Sequence, residues 1–168
     1  MIRECGKQDK NVIYDIINDA ASAYAGVIPA DRYHEPYMPL EELEQELADG
    51  VRFWGWSDDQ GVLAGVMGLQ DKGEVALIRH AYVRTNVRNR GIGGQLLAHL
   101  TAMTAKPILI GTWEAADWAV AFYQKHGFRL VTPGEKERLL RTYWNVPPRQ
   151  IEVSVVLSGP GDRLPALG

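Results

Sequence analysis

The stretch V-R-N-R-G-I-G-G-Q-L-L-A-H-L, Val87 to Leu100, follows a predicted strand and opens a predicted helix. Arginines and glycines crowd its first turn, where a helix already carries partial positive charge from unpaired N–H groups. Each glycine in a helix also costs about 1 kcal/mol relative to alanine. Both features become favourable if an anion binds there, because glycines let backbone N–H groups approach it. The alternative is that Arg84, Arg88 and Arg90 face solvent and the glycines only form a tight turn.

The glycine spacing does not match two common phosphate-binding motifs. The dinucleotide fingerprint G-x-G-x-x-G would need a third glycine where this chain has Leu96, three residues after Gly93. The P-loop motif G-x-x-x-x-G-K-[ST] is absent from the sequence. A mononucleotide or dinucleotide site of either kind is therefore not expected.

Composition predicts one soluble globular domain. The 168 residues carry a net charge of −3, which gives no reason to expect nucleic-acid binding. No apolar run approaches the length of a membrane span, and a single cysteine, Cys5, fits a reducing compartment. The N-terminus lacks the apolar stretch of a signal peptide, so we expect a cytoplasmic protein. We predict a domain over residues 1–157 and a flexible C-terminal tail over 158–168.

Hydrophobic periodicity predicts alternating helices and strands. Apolar residues from Val12 to Tyr24 recur at helical spacing, and Leu40, Leu43 and Leu47 mark a second helix that ends at Gly50. Strands are predicted over 2–5, 51–56, 62–70, 75–83, 107–113, 128–131 and 151–157, with further helices after Gly91 and over 116–126. This order predicts a single α/β domain with one mixed, mostly antiparallel sheet and helices on both faces.

Two motifs resemble those of the GNAT superfamily of acyl-CoA-dependent N-acyltransferases. Arg88 to Gly93, R-N-R-G-I-G, resembles the family signature [Q/R]-x-x-G-x-[G/A] between a strand and a helix. Asp117 to Phe128, D-W-A-V-A-F-Y-Q-K-H-G-F, resembles the second family element N-x-x-A-x-x-[F/L]-Y-x-x-x-G-F. The two elements stand in the family's order and spacing, and the resemblance covers residues 51–131.

The resemblance implies acetyl-CoA as cofactor. Backbone amides would hold its pyrophosphate at Arg88, Asn89, Arg90, Gly91, Ile92, Gly93 and Gly94. Tyr82 and Val83 would pair with the pantetheine arm, in a slot opened where strands 75–83 and 107–113 splay apart. The parting strands leave N–H and C=O groups that the pantetheine amides can satisfy. Asp117 stands where the family commonly has asparagine; we interpret it as a helix N-cap in the first instance, and alternatively as a cofactor contact.

Tyr123 is the predicted catalytic residue. In the family context Y-x-x-x-G-F, its hydroxyl would give a proton or a hydrogen bond to the leaving CoA thiolate. The alternative is a core tyrosine that packs beside Phe122.

The general base is not assigned by the sequence. Side chains alternate along the strand over 75–83, which puts Leu77 and Arg79 on one face and His80 on the other. Family members that use a strand residue as base take it from the face of Leu77 and Arg79, and neither residue is a plausible base. We expect His80 to be structural and Arg79 to bind an acidic group of the acceptor. His34, Glu35 or a chain of water molecules are the alternatives.

The acceptor pocket is predicted between an early aromatic segment and the long connection before the last strand. Candidates are Tyr24, Tyr33, His34, Glu35 and Tyr37 on one side and Arg141, Tyr143, Trp144 and Arg149 on the other. From these and from the strand we select Tyr24, Tyr33, Glu35, Arg79 and Tyr143 as substrate-binding residues. The acceptor is a small-molecule or peptide amine that the sequence does not identify.

Two further features bear on partners. No metal-ligand spacing such as H-x-x-x-H or C-x-x-C occurs, so no metal is expected. Trp54 and Trp56 alternate on a strand and are interpreted as packing residues or as a homodimer interface.

The leading hypothesis is direct transfer of an acetyl group from acetyl-CoA to a primary amine. Cys5 is the only thiol and lies far from the signature in sequence, which disfavours a covalent enzyme intermediate. The alternative is a non-catalytic acyl-CoA sensor that keeps the cofactor site and lacks the chemistry.

Overall fold

The computed structural model describes residues 1–163. Its strands are β1 Ile2–Glu4, β2 Arg52–Ser57, β3 Leu63–Asp71, β4 Ala76–Val83, β5 Ile108–Trp113, β6 Arg129–Leu130 and β7 Ser154–Gly159. Its helices are α1 Lys10–Ala21, α2 Leu40–Ala48, α3 Ile92–Ala102, α4 Asp117–Lys125, α5 Pro133–Tyr143 and α6 Pro148–Glu152. Across this span, no helix combines the length and the apolarity that crossing a membrane would require.

All seven strands form one sheet in the order β1-β2-β3-β4-β5-β7-β6. Only β4 and β5 run parallel, and the other neighbours are antiparallel. Such a mixed sheet needs helices on both faces to bury its apolar side chains. The predicted α/β architecture is therefore confirmed.

Apolar side chains fill a core on each face of the sheet. On one face Leu96, Leu97 and Leu100 of α3 are fully buried against the sheet and α4. On the other face α1 and α2 cover β2 and β3 through residues such as Ile16 and Leu43. Helices α5 and α6 continue that second layer over β5 and β7.

The parallel pair β4–β5 separates after a short contact, as the sequence predicted. Pairing covers Ala76 to Ile78 on β4 and Ile108 to Ile110 on β5. Beyond these residues β4 continues to Val83 and β5 to Trp113 with no bond between the two strands. Backbone N–H and C=O groups on the facing edges are thus free for another partner.

A β-bulge in β4 changes which side chains share a face. Val66 of β3 pairs with Tyr82 and Gly68 with Arg79, so three steps on β4 oppose two on β3. The bulge contains His80, whose φ of 55° lies in the left-handed region. The prediction that His80 faces away from Arg79 is therefore wrong, because strict alternation does not survive a bulge.

Two helices occupy the connection that the sequence analysis left without structure. Helix α5 begins with a capping box, in which the Thr132 hydroxyl accepts from Glu135 N–H. Helix α6 takes up residues 151 and 152, which had been assigned to the last strand. That strand instead runs to Gly159, two residues into the predicted tail. The rest of the predicted tail covers 160–168, of which residues 164–168 lie outside the described residues.

Candidate functional site

A long open slot of about 1070 Å³ lies between the separated ends of β4 and β5. Its walls are the end of α1, the ends of both strands, the loop between β4 and α3, the first turn of α3 and the inner face of α4. A cavity of this size matches the sites that proteins use for whole cofactors. The separation of the strands therefore opens this recess.

The loop before α3 forms a concave backbone surface at one end of the slot. Asn89 and Gly91 have φ values of 62° and 79°, and Gly91 is the N-cap of α3 without a side-chain cap. Such left-handed positions turn successive N–H groups to one side, where they can bind an anion. All the predicted residues from Arg88 to Gly94 line the slot.

Contacts from α1 hold this loop in place. The Asp19 carboxylate accepts hydrogen bonds from Thr85 N at 2.8 Å and from Thr85 Oγ1 at 3.2 Å. Arg88 donates from Nη2 to the Ala20 carbonyl at 3.5 Å, while Arg90 is exposed. The loop is therefore anchored by an element that sequence reasoning did not connect with it.

Glycines in the first turn of α3 also allow α4 to pack closely. A Cβ on Gly93 would stand 3.4 Å from Phe122, and one on Gly94 would stand 3.0 Å from His126 Nε2. The ring of His126 is held by a 2.8 Å contact between its Nδ1 and the Phe122 carbonyl. These glycines serve the α3–α4 contact as well as access to the slot.

Tyr123 projects from α4 into the slot. It is 7% exposed and packs edge-on against Phe122 and Phe128. Its hydroxyl has no hydrogen-bond partner among residues 1–163. Burial, and to a lesser degree the nearby Tyr24 hydroxyl, raises the pKa of Tyr123, so the phenol stays protonated at neutral pH. It can therefore donate a proton inside the slot.

A second cavity of about 130 Å³ adjoins the slot on the α1–α2 side of the sheet. Tyr24, His80 and Tyr82 line both cavities, and the hydroxyls of the two tyrosines lie 3.5 Å apart. Trp113 closes another wall and donates from Nε1 to the Tyr37 hydroxyl at 2.7 Å. Two recesses thus meet where the strands separate.

Several predicted site residues are placed elsewhere. Tyr33 donates to Glu35 Oε1 at 2.9 Å in the exposed early loop, and Tyr143 donates to Glu74 Oε2 at 3.2 Å. None of these three predicted acceptor contacts lines either cavity. Asp117 is exposed, begins α4 after the N-cap Ala116 and does not line the slot, so its predicted N-cap role is wrong.

Sequence reasoning missed other residues that line the two cavities. Gln150 reaches the smaller cavity from α6, and Lys125 and His126 line the slot at the end of α4. Trp144, which the sequence did offer as an acceptor candidate, lines the smaller cavity at the end of α5. The Thr132 capping box was a usable signal for α5. The proximity of His126 to Gly94 depends on the packing of α4 against α3, which no local pattern reveals.

The lone thiol and the tryptophan pair lie outside this site. Burial raises the pKa of Cys5 to about 11, and Cys5 lines neither cavity. Trp54 is buried in the core, and Trp56 donates from Nε1 to Gln95 Oε1 at 3.0 Å. Both tryptophans of the predicted dimer surface therefore make contacts within the chain. Residues 1–163 contain no group of three potential metal-ligating side chains.

A family model described as an acetyltransferase (GNAT) domain matches residues 49–130. The match contains β2 to α4, and so includes the separated strands and the loop before α3. Residues 49–130 are therefore similar to a GNAT domain. A comparison with curated protein sequences gave no match.

Solved structures of GNAT proteins share the fold of this chain. An acetyltransferase of the GNAT family from Staphylococcus aureus aligns with a TM-score of 0.70 at 20% identity, covering 94% of this chain and 96% of its own. The PaiA N-acetyltransferase from Thermoplasma acidophilum, in complex with coenzyme A, aligns with a TM-score of 0.67 at 16% identity. The alignment covers 95% of this chain and 98% of the PaiA chain. A GNAT family acetyltransferase from Elizabethkingia anophelis, with acetyl-CoA bound, aligns with a TM-score of 0.66 at 21% identity and covers 95% and 97%.

Proposed function

We propose that this chain transfers an acetyl group from acetyl-CoA to a primary amine. The observation that carries the proposal is the slot between β4 and β5, which joins a backbone anion site to a second cavity. The first recess suits an elongated phosphorylated ligand and the second suits a smaller partner. A protein that brings two ligands together at one point is built for transfer between them.

The residues of the slot fit coenzyme A. The uncapped N-terminus of α3 and the left-handed turn at Asn89 and Gly91 offer N–H groups to a diphosphate, with Arg88 and Arg90 adding positive charge. The open edges of β4 at Tyr82 and Val83 offer main-chain partners to amides. The coenzyme A and acetyl-CoA complexes of the T. acidophilum and E. anophelis proteins support this assignment.

The side chains present favour direct transfer. Acetyl-CoA supplies an activated thioester when bound. Tyr123 keeps its proton at neutral pH and can donate it to the departing sulfur. Cys5 is distant from both cavities and its raised pKa keeps it a thiol, so it does not offer a nucleophile.

The smaller cavity is the proposed acceptor site. Tyr24 and Tyr82 form the passage to the slot, and Tyr37, Trp113 and Trp144 give it an aromatic wall. Aromatic faces attract ammonium groups, which supports an amine as the ligand. Arg79 lines this cavity but is paired with Glu46 at 3.0 Å, so its charge is already partnered.

The test is thiol release from acetyl-CoA with a panel of primary amines, including spermidine, tyramine and a lysine-containing peptide. We expect turnover with at least one amine and saturable binding of acetyl-CoA in calorimetry. Desacetyl-CoA should bind and give no product. Saturable binding without turnover on any amine would identify an acyl-CoA sensor instead, and absence of binding would refute both.

A further inference from the structure

The bulge in β4 places His80 at the junction of the slot and the smaller cavity. Its side chain is 14% exposed, lines both recesses and stacks on Phe53, with ring centroids 6.1 Å apart. A left-handed φ at a residue other than glycine costs free energy, and such positions cluster at functional sites. The backbone therefore holds this imidazole in an unusual position where the two ligands would meet.

Glu46 of α2 faces one nitrogen of this ring. His80 Nε2 lies 3.4 Å from Glu46 Oε1, and the Glu46 side chain is only 12% exposed. Nε2 is buried and has no well-aligned hydrogen-bond partner among residues 1–163, and neither has Glu46 Oε2. If Nε2 carries the proton toward Glu46, Nδ1 is the nitrogen with a free lone pair for a ligand.

A chain of polar contacts fixes Glu46 in turn. Arg79 Nη1 lies 3.0 Å from Glu46 Oε2 and donates to Gln70 Oε1 at 3.3 Å. Gln70 donates from Nε2 to the Asp49 carbonyl at 3.0 Å, which ties the cluster to the end of α2. Arg79 therefore acts on Glu46 and leaves His80 as the group that faces the acceptor.

We propose that His80 is the catalytic base that removes a proton from the acceptor ammonium, and that Glu46 is the residue that positions it. This inference rests on the proposed acetyl transfer. An ammonium has no lone pair and must lose one proton before it attacks; that proton moves to His80. The N–C bond then forms, the C–S bond breaks and Tyr123 gives its proton to the sulfur. The second proton of the nitrogen restores the Tyr123 hydroxyl, and the proton held by His80 passes to solvent. One proton leaves to solvent for each acetyl group transferred.

The charges around His80 suit this role. Burial raises the pKa of the Glu46 carboxyl, but the contact with His80 and the charges of His80 and Arg79 outweigh it and leave that pKa below its usual range. Glu46 is therefore ionised at neutral pH. The other titratable groups that face His80 across the smaller cavity are the phenols of Tyr24, Tyr37 and Tyr82. Burial raises the pKa of each, so they stay neutral.

The positioning role of Glu46 has its own kinetic signature. A carboxylate that only orients the base acts on the proton transfer and not on ligand binding, so removing it lowers kcat and leaves KM for the amine unchanged. A purely structural role for Glu46 would change binding of the ligands as well.

The experiment compares the His80→Gln, Glu46→Gln and His99→Gln variants, using acetyl-CoA and the best amine of the panel. His99 is exposed on α3 and lines neither cavity, so it serves as the matched control. We expect His80→Gln to lower kcat/KM about a hundredfold at pH 7, with acetyl-CoA affinity within about twofold of wild type. Glu46→Gln should lower kcat and leave KM for the amine unchanged. His99→Gln should match wild type.

An NMR spectrum of the imidazole signals gives a second readout that needs no turnover. The signal absent from His80→Gln identifies the residue, and its chemical shift should change in Glu46→Gln, because the Glu46 carboxylate lies against the ring. Near-wild-type kcat/KM in a folded His80→Gln variant would overturn the base assignment. An unchanged imidazole signal and an unchanged kcat in Glu46→Gln would overturn the positioning role. If wild type transfers nothing to any amine, the proposed function and the base role fail, and the imidazole signal alone still decides the His80–Glu46 pairing.

Discussion

The role of the Tyr123 hydroxyl can be tested by a single substitution. Tyr123→Phe removes only the proton donor and keeps the ring that packs on Phe122 and Phe128. We expect kcat to fall more than about tenfold while acetyl-CoA still binds, because general acid catalysis contributes about a hundredfold or more. Stopped-flow thiol release and calorimetry measure the two quantities. An unchanged kcat would remove Tyr123 from the mechanism.

His80 shows where reasoning from single residues stops. The type of side chain identified a candidate base, but alternation along the strand assigned it to the wrong face. The bulge that places His80 depends on the pairing of β4 with β3, and its contact with Glu46 depends on the packing of α2. Neither can be predicted from the residues next to His80 in the sequence. By contrast, the glycine and arginine pattern before α3 is local, and so its position could be predicted.

Among the elements, the contact between α3 and α4 matters both for the packing of the two helices and for the shape of the slot. Gly93→Val would push a branched side chain toward Phe122, 3.4 Å from the first added carbon, and would narrow the slot. Overpacking would cost about 1–3 kcal/mol of stability. Because Gly93 also lines the slot, the added side chain should lower acetyl-CoA affinity at least about tenfold, which is about 1.4 kcal/mol of binding free energy. Gly134→Val is the matched control, because Gly134 lies in the first turn of α5 with open space around its Cβ position. Equal calorimetric affinities for both variants would contradict the assigned role of Gly93.

The elements that the sequence predicted are those whose patterns are local and strong. Leu96, Leu97 and Leu100 predict α3, and apolar runs bounded by turn residues predict β3 and β4. Helices α5 and α6 were missed because charged residues dominate their exposed faces and prolines 147 and 148 suggest a break. Prolines at the start of a helix favour it, however, since the first turn needs no N–H partner. The sequence predicted that this connection contributes to the acceptor pocket, but the contribution of Gln150 depends on the packing of α6 over β7.

On the scale of the whole molecule, the slot separates two parts of one sheet. Strands β1 to β4 lie on one side and β5 to β7 on the other, joined by the short parallel contact and by the bidentate ion pair of Arg149 with Asp31. A ligand that bonds to both open edges would add a bridge between the parts. Its binding should therefore stabilise the entire fold against unfolding.

We expect saturating acetyl-CoA to raise the melting temperature. At a concentration of about one hundred times Kd, binding adds about 2.7 kcal/mol, which corresponds to a shift of about 5–10 °C for a chain of this size. Scanning calorimetry measures the shift, and Gly93→Val at the same concentration should show a smaller one. Hydrogen exchange gives the location, since amides at 79–83 and 111–113 should exchange more slowly only if the ligand lies between the strands. A raised melting temperature with protection confined to some other surface would show that acetyl-CoA binds outside the slot.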